Sequence, residues 1–111
     1  MTFTAILAAT ANDTATITLS GELDASTAPI FKQEVDKVAS LNVKRLVLLL
    51  QDLEYMASAG LRVLIYAKQK LGLDTDLYVV GAQETVLDTL TKTGFVNSVF
   101  VVDDESEIEI T

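Results

Sequence analysis

The sequence predicts an α/β fold, in which a mixed β-sheet with an N-terminal hairpin packs against α-helices. Two β-like segments joined by turn residues open the chain, and amphipathic helical patterns then alternate with short apolar runs. With 111 residues, the chain is expected to be a single domain over 1–111, because single domains typically hold about 100–200 residues.

The first half of the chain predicts the hairpin and one helix. Residues 3–9 and 15–20 are rich in Thr, Ile and Leu, and Asn12 and Asp13 supply the turn between them. A helix should follow Ser26 and Thr27, which offer side-chain caps, with Pro29 in the first turn, where its missing N–H costs nothing. The expected inward face of this helix is Ile30, Phe31, Val35, Val38 and Leu41.

The second half predicts three strands and two helices. Residues 46–50 are apolar without alternation, which indicates a strand covered on both faces, and residues 77–80 and 99–102 are further short strands. One helix should begin at Ser58 and end at Gly72, and another should cover 85–93 and end at Gly94. The acidic residues after 102 predict a last short helix or a frayed end. The expected inward residues are Leu61, Leu64, Ile65 and Leu71 in the first of these helices, and Val86, Leu87 and Leu90 in the second.

Composition excludes several classes of function. The net charge of −8 would repel a phosphate backbone, so nucleic acids and anionic membranes are poor partners. The chain has no His and no Cys, which removes Ser-His and Cys-His nucleophile pairs and the usual metal ligands, so we predict no cofactor and no metal site. The carboxylates of Asp52 and Glu54 are interpreted as solvated charges rather than a catalytic pair. No apolar run spans a bilayer and no secretory signal opens the sequence, so a cytoplasmic location is expected.

Three motifs carry a resemblance to a known family. They are "LSGELDASTAPIF" from Leu19, "LVLLLQDLEYMASAGLRVLI" from Leu46 and "LYVVGAQETVLDTLTKTGFVNSVFVVDD" from Leu77. In this order and spacing they resemble the STAS domain family, in particular its stand-alone bacterial anti-sigma factor antagonists, also called anti-anti-sigma factors. The second motif is similar to a family segment of strand, loop and helix that ends in Met-Asp-Ser-Ser-Gly-Leu-Gly. The resemblance implies a STAS-like fold.

The resemblance also implies a function without catalysis. In the family, the serine that matches Ser58 is a phosphorylation switch. The unphosphorylated antagonist binds an anti-sigma factor that is also a serine kinase, and phosphorylation by that kinase ends the complex; a serine phosphatase is a further implied partner. The residues expected at the partner-binding site are Asp24, Ser26, Thr27, Met56, Ala57, Ser58, Ala59, Gly60, Leu61 and Arg62.

The chain departs from the family pattern around this serine. Ala57 replaces the usual Asp, Ala59 replaces a second Ser or Thr, and Arg62 stands where Gly is common; Leu49 and Gln51 replace an acidic residue and a serine in the preceding strand. These changes remove groups that could position the hydroxyl or be recognised by a kinase. The alternatives are therefore a constitutive STAS adaptor without a phosphoswitch, or a STAS module that senses a small ligand or nucleotide, although a Gly-x-x-x-x-Gly-Lys-Ser/Thr motif is absent.

Each candidate residue also has a structural interpretation. Ser58 is predicted as a helix N-cap, worth about 1 kcal/mol, and the same helix end would stabilise an added phosphate. Arg62 is either a solvated charge or a cation that pairs with a phosphate or a partner carboxylate. The other interpretations are a turn or cap acceptor for Asp24, caps for Ser26 and Thr27, core for Met56, and small size allowing close approach for Ala57, Ala59 and Gly60.

Overall fold

A five-stranded mixed sheet forms the centre of the molecule in the computed structural model, which describes residues 3–10 and 13–108. The strands lie side by side in sequence order; the first pair is antiparallel and all later pairs are parallel. Each helix connects two adjacent parallel strands, so the predicted α/β fold with an N-terminal hairpin is confirmed. The elements are β1 (Thr4–Thr10), β2 (Thr14–Leu23), α1 (Ala28–Ala39), β3 (Arg45–Met56), α2 (Ser58–Leu71), β4 (Asp76–Val80), α3 (Glu84–Lys92) and β5 (Phe100–Val102), with short 3-10 helices at Phe95–Ser98 and Glu105–Glu107.

The turn of the hairpin is attached to the start of β3. Asp13 has a left-handed φ of 58°, a conformation that Asp tolerates, and its carbonyl accepts hydrogen bonds from the N–H groups of Lys44 at 2.7 Å and Arg45 at 3.2 Å. The predicted turn residue Asn12 lies outside the described residues. This contact sets the starting register between β2 and β3.

Strand β3 extends well past the apolar run that predicted it, because two bulges keep it paired with β2. The register shifts between Thr18 and Ser20 of β2 and again between Gly21 and Glu22, so β3 gains one residue each time. Gly21 has a φ of 90°, which a residue with a Cβ rarely adopts. As a result, the inward-facing side chains of β3 are spaced two residues apart at first and three apart later, in the order Leu46, Leu48, Leu50, Leu53 and Met56.

The bulges also anchor α3. The carbonyl oxygen of Gln51 accepts a hydrogen bond from Nε2 of Gln83 at 2.8 Å, and that of Glu54 accepts one from Oγ1 of Thr85 at 3.2 Å. Each carbonyl belongs to a bulged part of β3, where the regular ladder is interrupted. Side chains at the start of α3 therefore provide donors for backbone groups that the bulges release.

Helix α1 packs its predicted face on the sheet only in part. Phe31, Val35 and Val38 are fully buried, but Ile30 and Leu41 are exposed, so the prediction is wrong for these two residues. Ile30 is turned by about 100° from Phe31 around the helix axis, away from the core. Leu41 lies beyond the end of α1 at Ala39, where the helical period no longer applies.

Helices α2 and α3 lie on the same face of the sheet as α1, since their buried residues join one core. Leu61 and Leu64 are buried as predicted, whereas Ile65 is 41% exposed, which contradicts its predicted inward position. Both predicted glycine stops are confirmed, with positive φ at Gly72 and at Gly94.

The buried face of α2 also includes the small or branched residues Gly60, Val63 and Ala67, while Leu71 is half-buried. Helix α3 buries Val86 and Leu90, and Leu87 is partly buried. None of the helices within residues 3–10 and 13–108 combines the length and the apolar character that a membrane span requires.

A polar cluster joins α1 to α2 above the core. The hydroxyl of Tyr66 donates a hydrogen bond to the carboxylate of Asp36, and Nζ of Lys32 lies 3.6 Å from that carboxylate and 4.5 Å from the centre of the Tyr66 ring. The hydrogen bond from Tyr66 lowers the pKa of Asp36, and the same bond raises the pKa of Tyr66.

On the opposite face of the sheet, the C-terminal segment packs against β3 and β4. Ile108 is buried against Val47 and Val80. The segment is held by a capping box, in which Asp104 accepts the N–H of Ser106 at 2.8 Å while the Glu107 carboxylate accepts the N–H of Asp104 at 2.9 Å. The predicted last short helix therefore forms, as a 3-10 turn, and it positions Ile108.

We expect Ile108→Ala to lower the free energy of unfolding by about 2 kcal/mol, since truncation of a buried isoleucine leaves its neighbours without packing partners. Urea unfolding followed by circular dichroism measures this change. Leu73→Ala is the matched control, because Leu73 is 98% exposed and its truncation should change stability little. Equal effects of the two substitutions would contradict the packing described for Ile108.

Candidate functional site

The candidate site lies where β3 ends and α2 begins. Ala57 is extended, with φ −84° and ψ 172°, and its N–H donates to the carbonyl of Leu23 at 2.8 Å, which continues the pairing of β2 with β3. The carbonyl of Ala57 accepts hydrogen bonds from the N–H groups of Gly60 at 3.0 Å and Leu61 at 3.2 Å. Ala57 is thus the last residue held by the sheet and also the N-cap of α2.

Ser58 is the first helical residue of α2, so its prediction as the N-cap is wrong. The sheet bond made by Ala57 determines this, because it places the change from strand to helix one residue before Ser58. No side chain caps the first turn of α2, and the Ser58 hydroxyl has no hydrogen-bond partner among the described residues. Its side chain is exposed and therefore available to another molecule.

Gly60 allows the first turn of α2 to pack tightly on the end of β2. A Cβ at this position would lie 2.6 Å from Cγ and Cδ2 of Leu23 and 3.1 Å from Cγ of Met56. Leu23 is fully buried and Met56 is 4% exposed, so neither can move aside without disturbing the core. The predicted close approach is confirmed at Gly60, and the core position of Met56 is confirmed too.

The loop after β2 is organised by Asp24. Its Oδ1 accepts hydrogen bonds from the N–H of Ser26 at 2.9 Å, from Oγ of Ser26 at 2.7 Å and from the N–H of Thr27 at 3.2 Å. This confirms Asp24 as a turn acceptor. The hydrogen bond from the Ser26 side chain is the main reason that the pKa of Asp24 is lowered from 3.8, since it stabilises the ionised carboxylate.

Thr27 occupies the N-cap position of α1, but its side chain does not cap the helix. Its Oγ1 accepts from the N–H of Asp24 at 2.9 Å and donates to the carbonyl of Glu22 at 2.9 Å, so the hydroxyl ties the loop to the end of β2. The carbonyl of Asp24 already accepts the N–H of Ala28 at 2.8 Å. The predicted side-chain caps from Ser26 and Thr27 are therefore wrong, while Pro29 lies in the first turn as predicted.

The sheet brings the two loops together. Leu23 and Met56 are paired in adjacent parallel strands, so the loop after β2 and the start of α2 meet at the carboxyl edge of the sheet. Asp52 and Glu54 lie exposed along β3. The predicted site residues divide by burial into exposed (Ser26, Ser58 and Arg62), partly buried (Asp24, Thr27, Ala57 and Ala59) and buried (Met56, Gly60 and Leu61) positions.

The buried members of this set support the loop from beneath rather than face solvent. Sequence reasoning missed Leu23, whose carbonyl and side chain both position the start of α2. The residues around Ser58 do not indicate which residue of β2 lies beside them. It also missed Ile65, which looked like core but is exposed on α2. The available signal for Ile65 was its helical position, seven residues beyond Ser58 on the same side of the helix.

Comparison with known proteins identifies a family for this chain. The family model described as STAS domain matches residues 5–108. Among curated proteins, no sequence relative was found.

Several solved structures share the fold. An anti-sigma factor antagonist from Mycobacterium paratuberculosis superimposes with a TM-score of 0.87 at 24% identity, covering 96% of this chain and 90% of that chain. The anti-sigma factor antagonist SpoIIAA in its unphosphorylated form gives 0.77 at 19% identity, covering 94% and 91%. The phosphorylated form of SpoIIAA, described as a Bacillus cell fate determinant, gives 0.75 at 17% identity, covering 94% and 95%.

We expect Gly60→Ala to lower the free energy of unfolding by about 1–2 kcal/mol, because overpacking against Leu23 outweighs the better helix propensity of Ala. Chemical denaturation measures the change. In a Leu23→Ala background the two Leu23 atoms at 2.6 Å are gone and only Cγ of Met56 at 3.1 Å remains, so the same substitution should cost clearly less. An equal penalty in both backgrounds would show that the close contact is not its cause.

We expect Ser26→Ala to raise the pKa of Asp24 towards 3.8, because it removes the largest cause of the lowered value. A lowered folded-state pKa means that this carboxylate stabilises the fold above the unfolded pKa of about 3.8, and that the contribution is lost as the pH falls through the folded value. Carboxyl carbon chemical shifts recorded against pH measure the folded-state pKa in the wild type and in the variant. The pKa of Asp104, lowered mainly by Ser106, is an internal control that should not move.

Proposed function

This chain belongs to the STAS domain family, and we propose that it acts as an anti-sigma factor antagonist in the cytoplasm, by binding a protein and without catalysing a reaction. The observation that carries the proposal is the Ser58 hydroxyl, which is exposed at the first residue of α2 and has no hydrogen-bond partner in the described parts of the chain. The similar folds of proteins described as anti-sigma factor antagonists support it.

The proposed partner of the unphosphorylated chain is an anti-sigma factor that is also a serine kinase. Its binding surface would be formed by the exposed side chains Ser26, Ser58 and Arg62 at the carboxyl edge of the sheet. Ala57 and Ala59 are small and only partly buried, so they leave room for a partner to approach Ser58 closely. A kinase active site needs such access, since it must bring a phosphoryl group to the hydroxyl oxygen.

Phosphorylation of Ser58 would act mainly on the partner. At the first residue of α2, an added phosphate lies beside the free N–H groups and the positive end of the helix, which stabilise negative charge within the domain. The same group brings about −1.5 to −2 charges into the docking surface. A penalty of about 3 kcal/mol there would weaken binding on the order of a hundredfold, which is enough for a switch.

A constitutive adaptor is the second candidate function. Ala57 and Ala59 carry no polar atoms in their side chains, so neither flanking side chain of this chain can position the Ser58 hydroxyl for transfer. In this candidate the same surface docks a partner, and Ser58 is not modified.

We expect Ser58→Ala to bind the partner as the wild type does, and Ser58→Asp to bind at least about tenfold more weakly, because the added carboxylate carries part of the charge of a phosphate. Immobilised wild-type chain recovers the kinase from its host, and titration calorimetry with the purified kinase measures each variant. Ser98→Asp is the charge-matched control. Ser98 is exposed and precedes β5, so it lies at the amino ends of the parallel strands, whereas Ser58 lies at their carboxyl ends.

Intact mass of the chain isolated from its host under phosphatase inhibition gives an independent measurement. A phosphate adduct mapped to Ser58 supports the switch. If no adduct forms and Ser58→Asp binds as tightly as Ser58→Ala, the switch is ruled out and the adaptor remains.

A further inference from the structure

The charges of α2 differ from those of the rest of the chain. Over its 14 residues, α2 contains Arg62, Lys68 and Lys70 and no acidic residue. The whole chain carries −8, and subtracting the +3 of α2 leaves −11 on the other residues. The other two helices are mixed, because α1 contains Glu34 and Asp36 and α3 contains Glu84 and Asp88. The charged side chains of α2 are therefore all positive, although the protein as a whole is strongly acidic.

Helix stability accounts for two of these charges but not for Arg62. Lys68 and Lys70 lie in the last turn, where cations interact favourably with the negative end of the helix. Arg62 lies in the N-terminal half, towards the positive end. Four lysines of the described chain form ion pairs with carboxylates, whereas Arg62 forms none with any described residue. Its side chain is exposed, and nothing within residues 3–10 and 13–108 neutralises its charge.

Arg62 belongs to an exposed row that starts at Ser58. Residues spaced by three and four positions fall on one side of a helix, and Ser58, Arg62, Ile65 and Gln69 have this spacing and are all exposed. We call these four residues the α2 row. It combines a hydroxyl, a guanidinium, an amide and an apolar side chain that is 41% exposed, which is a composition suited to contact with another protein.

We propose that the α2 row is the part of the docking surface that recognises an acidic face of the protein partner, with Arg62 as the recognising charge. This inference rests on the proposed function, because it concerns the same partner. Charge complementarity selects the occupant: an arginine binds carboxylates in paired hydrogen bonds, and Ile65 offers an apolar contact beside it. A nucleic acid or an anionic membrane would meet the −11 of the surrounding chain.

The α2 row also suggests how phosphorylation of Ser58 would weaken binding of the partner. Ser58 and Arg62 are four residues apart, so their Cβ atoms are about 5–6 Å apart on the helix surface. A phosphate on Ser58 changes the charge of the row from +1 to about −0.5 to −1. The guanidinium of Arg62 can bind that phosphate. The modification therefore adds an anion to the row and also makes the cation less available to the partner. An acidic partner face would lose its attraction and meet repulsion.

The test measures binding kinetics of the host anti-sigma kinase to the wild type, Arg62→Glu and Lys44→Glu. Both variants have the same net charge, and Lys44 is an exposed residue before β3, at the opposite end of that strand from Ser58. Arg62→Glu should lower the association rate constant about tenfold at low ionic strength and flatten its dependence on salt, while Lys44→Glu should change both much less.

The outcomes separate the two proposals. If Arg62→Glu and Lys44→Glu behave alike while Ser58→Asp still weakens binding, the α2 row is not the recognition surface and the switch stands. If Arg62→Glu alone weakens binding and Ser58→Asp does not, the recognition surface stands and the switch fails. If the wild type binds no anti-sigma kinase, both proposals are overturned.

Discussion

The hydrogen bond from the N–H of Ala57 to the carbonyl of Leu23 determines the geometry of the candidate site. It is the last bond between β2 and β3, and it places the end of the sheet one residue after Met56. The next peptide is free to turn, so α2 begins at Ser58 and the hydroxyl emerges on the outer side of the first turn. Gly60 makes this possible, since any side chain there would meet Leu23, the residue whose carbonyl holds Ala57. Leu23 thus holds the start of α2 in two ways, through its backbone carbonyl and through the packing of its side chain.

Much of the fold followed from local signals in the sequence. The order of helices and strands follows from hydrophobic periodicity, and the ends of α2 and α3 from glycines that adopt positive φ. The position of Asp24 as a turn acceptor was equally local, because its partners are two and three residues away. Features that depend on a neighbouring strand were not predictable. The N-cap of α2 is Ala57 because Leu23 engages its N–H, and the hydroxyls of Ser26 and Thr27 bond within the loop rather than to helix amides.

The position of Ser58 does not depend on polar side chains beside it. The loop conformation is held by backbone hydrogen bonds and by buried residues, so it forms with the apolar side chains of Ala57 and Ala59 on either side of Ser58. The groups available to a partner at this surface are the Ser58 hydroxyl, the backbone N–H groups of the first turn of α2 and the guanidinium of Arg62. Electrostatics then distinguish this surface from the rest of an acidic molecule, because α2 alone has no carboxylate among the three helices. The shape of the site and its charge therefore come from separate parts of the sequence.

The two bulges in β3 have a consequence for how chains with this fold can differ in length. Each bulge inserts one residue opposite β2, and the extra residues, Gln51 and Glu54, are both exposed. Removing either one would restore regular pairing and leave Leu53 and Met56 facing the helices. Removing a residue from 46–49 would instead invert the inner and outer faces of the strand beyond it. Loss of one residue from β3 is accordingly expected to leave the core and the start of α2 in place only at these two bulges.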